Sequence, residues 1–142
     1  MLNEERMGLM VWSPLAGGLL SGKYGRDGRG PEGSRRVTFD YPPVNRDRAF
    51  NCVDAMRQIA DAHHLSVACV ALAWLLSKPH VSALIVGARN EEQLQDNLAA
   101  SEVELSAGEI AELDRVSALP SEYPAWAMER LLGIPRAPET SR

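Results

Sequence analysis

Val81-Ser82-Ala83-Leu84-Ile85-Val86-Gly87-Ala88-Arg89-Asn90-Glu91-Glu92-Gln93 is the stretch that decides the fold class. Its first part, Val81 to Val86, is apolar apart from Ser82 and reads as a buried strand. Gly87-Ala88-Arg89 turns the chain. Asn90 can cap a helix running to about Ala100, with Glu91 and Glu92 in its favourable first turn. A strand passing directly into a helix is a unit of an α/β fold. Upstream, Val67 to Leu76 is apolar at nearly every position, including Trp74. Ser66 can cap this helix, Pro79 stops it, and its apolar circumference demands burial on most sides. Before it, Val53, Met56, Ile59 and Ala60 recur at helical spacing with Arg57, Gln58 and Asp61 between them. This is an amphipathic helix that begins near Asn45 and breaks at His63-His64-Leu65. Met7 to Trp12 is a second apolar strand, closed by Ser13-Pro14.

Two strands separated by helices imply parallel pairing with a helical crossover. Both strands are nearly all apolar, so both faces are expected to be covered. Two parallel strands do not make an independent sheet, so the pattern implies further strands. Downstream, Ser106-Ala107-Gly108-Glu109 is a capping box, with Leu105 and Ile110 placed as its hydrophobic staple. Leu113 and Val116 continue that helix's apolar side. After Leu119-Pro120 the chain turns irregular, and residues 120–142 read as a tail that packs through Tyr123, Trp126, Leu131 and Leu132 or not at all. No internal repeat is present.

The chain has 142 residues, 45% hydrophobic and 24% charged, which suits one globular domain, at most with a tail. A net charge of −4 argues against a duplex-coating nucleic-acid binder. No apolar run approaches the roughly 18 residues that span a bilayer. Met1 to Arg6 is too acidic for a signal peptide. Cys52 and Cys69 lie far apart in helical segments and read as buried small hydrophobes in a reducing cytoplasm.

Residues 14–44 hold seven of the eleven glycines and lack hydrophobic periodicity, so a long functional or flexible loop is expected. Lys23, Arg26, Arg29, Arg35 and Arg36 outweigh Asp27, Glu32 and Asp40 there, a net of +2. Gly17 to Lys23 has phosphate-loop spacing, but Tyr24 stands where the magnesium-binding hydroxyl belongs and no helix can open at Gly25-Arg26-Asp27-Gly28. The helix pair from Asn45 to Ser77 reads as two packed core helices in preference to a DNA-reading pair, because Val67 to Trp74 offers no base-contacting side chain. His63 and His64 are adjacent, cannot chelate one metal together, and suit a solvated helix end. No metal site is expected. The start of the helix after Gly87 is more informative. Its free amides and positive dipole suit an anion, and Arg89 adds a bidentate donor. Gln93, Asp96 and Asn97 follow at helical spacing on one polar face, opposite Leu94 and Leu98. A capped surface helix with a solvated face has the same pattern.

Taken together, three segments resemble the C-terminal part of an aldo-keto reductase. They are Trp12-Ser13-Pro14-Leu15-Ala16-Gly17-Gly18-Leu19-Leu20-Ser21-Gly22-Lys23-Tyr24, Val70-Ala71-Leu72-Ala73-Trp74-Leu75-Leu76, and Ile85-Val86-Gly87-Ala88-Arg89-Asn90-Glu91-Glu92-Gln93-Leu94 with Asn97-Leu98. Leu105 to Ile110 with Leu113-Asp114 fits the helix that follows. The branch is the one that includes potassium-channel β-subunits and many bacterial reductases.

The resemblance implies residues 1–119 of a (β/α)8 barrel, with Met7 to Trp12 as its seventh strand and Val81 to Val86 as its eighth. Such a chain is an incomplete barrel, a fragment carrying two strands of eight. The resemblance also implies NADP(H). Trp12 would stack on the nicotinamide. Ser13, Leu15 and Gly17 would line the pyrophosphate, with Pro14 and Ala16 beside it. Lys23 and Arg35, or Arg36 in its place, would lie in the loop over the cofactor. Gly87 and Arg89 would meet the 2′-phosphate, and Gln93, Asp96 and Asn97 the adenine end. Asp96 stands where the family often has glutamate, so its reach is shorter. The family's catalytic tyrosine, lysine, aspartate and histidine come from earlier strands, and no residue here lies in their motifs. The expected function is therefore the cofactor-binding portion of a reductase acting on a small carbonyl substrate, inactive alone. Its expected partner is the remaining barrel or a second copy. The alternative is a non-catalytic nucleotide-binding or interaction module.

Overall fold

The computed structural model describes residues 5–120, together with Leu2, Ala127, Arg130 and Leu131. Strand β1 (Leu9–Trp12) is followed by a 3₁₀ segment (Ala16–Ser21), a short helix α1 (Arg35–Thr38), and helices α2 (Arg46–His63) and α3 (Val67–Leu76). Strand β2 (Val81–Ile85), α4 (Glu91–Ala99) and α5 (Ala107–Ser117) complete the described elements. The long helices start where local chemistry dictates. Asn45, Ser66, Asn90 and Ser106 each accept an amide hydrogen bond from the third residue after them. Ser106 and Glu109 form the full reciprocal capping box. Arg48, the third residue after Asn45, belongs to the first turn of α2, whose C-terminus closes on His64 in the left-handed conformation.

β1 and β2 pair in parallel, with Met10 beside Ala83, Val11 beside Leu84 and Trp12 beside Ile85. The crossover through α2 and α3 permits that direction. The register slips between Leu9 and Met10. There a Cβ on Gly8 would lie 2.0 Å from the Ser82 hydroxyl, so any larger residue would force the Ser82 side chain to move.

The core lies among helices. Cys52, Met56, Ile59 and Ala60 of α2 pack with Val70 and Ala71 of α3 and Leu113 of α5. The opposite side of α3 buries Cys69 and Leu72 against Ala100, with Leu84 of β2 beside them. α3 is thus enclosed between two layers, which accounts for its apolar circumference. Both cysteines are free and buried.

Three expectations are corrected. Among the described residues the strands are not covered on both faces: Leu9, Met10, Trp12 and Ile85 are exposed, because the described sheet has two strands and α3 reaches only part of it. Residues 14–44 are not structureless. Leu19 and Tyr24 are buried against Phe50 of α2, and Arg26 pairs with Asp54 at 2.6 Å. His63 is not simply solvated: its Nε2 lies 2.6 Å from Glu109 Oε1, tying the end of α2 to the start of α5. Of the residues through which the tail was expected to pack, Tyr123, Trp126 and Leu132 lie outside the described residues, and Leu131 is exposed. No single described helix is long and apolar enough to cross a membrane.

Candidate cofactor site

The pairing of Trp12 with Ile85 sets the C-terminal ends of both strands side by side. In parallel α/β structures that end is where ligands bind, because loops and helix N-termini converge there. Two groups of residues assemble on it, one from each strand.

Beyond β1, the Trp12 ring is 65% exposed at the strand end. The chain then turns sharply through left-handed backbone at Ser13 (φ 53°), Ala16 (φ 49°), Gly17 (φ 68°) and Gly18 (φ 90°). Non-glycine residues rarely adopt that region, so a run of them marks a segment held by its surroundings. The hold is visible. Ala16 N–H donates to Ser13 O at 2.9 Å, and Gly17 N–H reaches Ser13 Oγ at 3.4 Å. A Cβ on Gly17 would meet Tyr41 O at 2.7 Å. Pro14 is half-buried, and Leu15 packs against the helical core and anchors the turn. Lys23 is exposed and folds back over the turn, where a Cβ on Gly18 would lie 3.3 Å from its Nζ.

Beyond β2, a Cβ on Gly87 would meet nothing within 4 Å, so this turn faces open space. Asn90 Oδ1 accepts from Gln93 N–H at 2.9 Å, while Gln93 Oε1 accepts from Arg89 N–H at 3.0 Å. The start of α4 is therefore locked from both sides. Arg89 Nη1 donates to Gly33 O at 3.1 Å, which draws the long loop onto the helix N-terminus. That loop contact had no signal in the local sequence, since the partners are 56 residues apart.

Arg35 and Arg36 separate. Arg35 is exposed. Arg36 has a side chain only 5% exposed, donates to Ala16 O at 2.8 Å and Pro42 O at 2.9 Å, and pairs with Asp40 at 2.5 Å. Its amide also donates to the buried Tyr24 hydroxyl. Burial pushes the Tyr24 phenol up, but this hydrogen bond and the Lys23 and Arg36 charges outweigh it, leaving the group below its ordinary value.

The expected polar face of α4 divides as well. Gln93 stays with Arg89, whereas Asp96 Oδ2 accepts from Ser66 Oγ at 2.6 Å and Asn97 is half-buried. Leu94 and Leu98 face outward. The structure thus groups Trp12, Ser13, Gly17 and Lys23 at one strand end and Gly87, Arg89 and Gln93 at the other, with Arg35 two residues from the loop contact. Among the described residues, no cluster of His, Cys, Asp and Glu could hold a metal ion.

The model of the aldo/keto reductase family matches residues 1–118. The chain is 41% identical over 101 residues to a probable voltage-gated potassium channel subunit beta of Arabidopsis thaliana, covering 68% of this chain and 30% of that protein. It is 44% identical over 104 residues to an uncharacterized oxidoreductase of Mycobacterium tuberculosis, covering 73% and 31% respectively. It is 30% identical over 119 residues to L-glyceraldehyde 3-phosphate reductase of Escherichia coli, covering 80% and 34%. The chain spans about a third of the length of these relatives.

Proposed function

The chain belongs to the aldo/keto reductase family, and from that premise we propose that it is the NADP(H)-binding C-terminal portion of a carbonyl oxidoreductase. In this reading β1 and β2 are the last two strands of an eight-stranded barrel. The observation that carries it is the meeting, at two paired strand ends, of an exposed tryptophan ring and a capped helix N-terminus bearing Arg89.

The donor set suits a dinucleotide with several phosphate charges. Lys23, Arg35 and Arg89 are exposed cations, Lys23 and Arg89 following the two strand ends, and the turn at Gly87 leaves room for a close approach. The Trp12 ring offers a flat apolar surface for the nicotinamide. Arg89 with the α4 N-terminus offers a bidentate site for the 2′-phosphate. The bound cofactor would supply the hydride. This chain's residues bind and orient it, while the proton donor resides in strands outside this sequence. The exposed sheet supports the same reading from another side: Leu9, Met10 and Ile85 need cover, which the remaining barrel or a second copy would provide. That surface also supports the second reading, a non-catalytic module that binds nucleotide while docked on a partner.

Titration with the two cofactors tests the proposal. NADPH is expected to bind more tightly than NADH. Arg89→Ala is expected to weaken NADPH by roughly 1.5–3 kcal/mol, the worth of hydrogen bonds to a charged group, with NADH little changed. Equal losses for the two would remove the 2′-phosphate role.

A further inference from the structure

α4 carries the proposed phosphate contact yet has little apolar anchorage. None of its residues is buried, and Leu94 and Leu98 are 46% and 61% exposed. Its C-terminal end is pinned by Ala100, which is buried with Cys69 and Leu72. One helical turn earlier, Asp96 makes the polar contact to α3. Ser66 Oγ donates to Asp96 Oδ2 at 2.6 Å while accepting from Cys69 N–H at 2.9 Å. A hydroxyl has one proton and two lone pairs, so it can cap α3 and bind α4 at once. The carboxylate makes this the stronger, charge-assisted kind of hydrogen bond.

We propose that Asp96 is a positioning residue, which through Ser66 fixes the first turns of α4 and so holds Arg89 and Gln93 in place for a phosphate-bearing ligand. The ligand half rests on the reading of Arg89 given above; the positioning half does not. The short aspartate side chain reaches Ser66 on α3, whereas Gln93, one turn earlier, bonds the Arg89 amide. One hydroxyl then couples three things: the start of α3, the middle of α4, and the placement of the anion site.

The experiment uses the full 142-residue chain with two readouts, amide hydrogen exchange over residues 91–96 without ligand and NADPH affinity by titration. Asp96→Ala and Ser66→Ala are each expected to speed exchange in that segment. Each should weaken NADPH by about tenfold, the scale of one charge-assisted hydrogen bond. The double variant should be no weaker than the worse single variant, because both remove the same contact. Ser66→Thr keeps the hydroxyl and should restore both readouts. Asp96→Asn keeps an acceptor and should retain most of the exchange protection, which guards against a fold lost through the missing α3 cap. Normal NADPH affinity in Ser66→Ala beside a large loss in Asp96→Ala would overturn the proposal, since Asp96 would then touch the ligand itself. Unchanged exchange in both alanine variants would also overturn it. Should the parent chain bind no NADPH, the cofactor reading fails while the exchange measurement still decides the positioning role.

Discussion

Arg36 carries its guanidinium into the interior and satisfies two carbonyls, Ala16 O and Pro42 O, that flank the strained turn and the far end of the loop. Removing it leaves those acceptors orphaned at roughly 1–3 kcal/mol each. Arg36→Met is therefore expected to lower stability in urea melts and to speed tryptic cleavage at Arg29 and Arg35. Arg35→Ala, at an exposed neighbour, should leave the melt within about 0.5 kcal/mol. Equal effects of the two would contradict the division of roles. Trp12 supports a second residue-level expectation. If NADPH packs on its ring, binding should quench fluorescence, and Trp12→Phe should remove most of the change. Trp74 is a poor alternative reporter because its Nε1–H is held by Asp114 at 2.8 Å and Lys78 sits over its ring. Quenching that persists in Trp12→Phe would refute the stacking role.

At the scale of elements, α5 is seated on α2 partly through Glu109, which closes the Ser106 capping box with one oxygen and meets His63 with the other. Hydrogen bonds from the Ser106 hydroxyl and amide, then His63, hold its carboxyl below the ordinary glutamate range. A carboxyl lowered in the folded state contributes stability that is complete above its unfolded value, near 4.5, and is lost as pH falls through the lowered value. Glu109→Gln is thus expected to be less stable than the parent at pH 7, by up to about 1 kcal/mol, the worth of a helix cap. The difference should vanish below the lowered value. Urea melts from pH 7 to pH 2 would show it; parallel curves across the whole range would contradict the assignment. Ser106→Ala should cost about 1 kcal/mol at neutral pH for the same reason.

The molecule as a whole has its core on one side. Helices α2 and α5 enclose the buried α3, while among the described residues the sheet offers two unpaired edges and an apolar surface at Leu9, Met10 and Ile85. Such edges template further pairing. The 142-residue chain is expected to self-associate in light scattering, and Met10→Lys should reduce the association. A sharp monomer with a cooperative melt would show that this sheet needs no cover. The same chain is expected to oxidise no NADPH with a panel of aldehydes. Hydride transfer without a positioned acid leaves the developing alkoxide unstabilised. Measurable turnover would place a proton donor within these residues.

What the sequence determined by itself was whatever depends on near neighbours. The caps at Ser66, Asn90 and Ser106 each act on an amide three residues away, so their signal is local and all three start helices in the structure, as does Asn45, which the pattern marked only as the helix's beginning. The apolar circumference of Val67 to Leu76 required an enclosed helix, and the two apolar runs required a parallel pair. The motifs around Trp12 and Arg89 were legible because each follows a strand end directly. Tertiary structure alone decided which neighbour turns inward. Arg35 and Arg36 are the same residue type one position apart, and only the packing of residues 16–42 buries one of them. Asp96 shared a helical face with Gln93 in the pattern, but its partner Ser66 is 30 residues away. The exposed sheet follows the same rule: an apolar strand states that it needs cover, whereas the cover itself lies in contacts distant along the chain or in another chain.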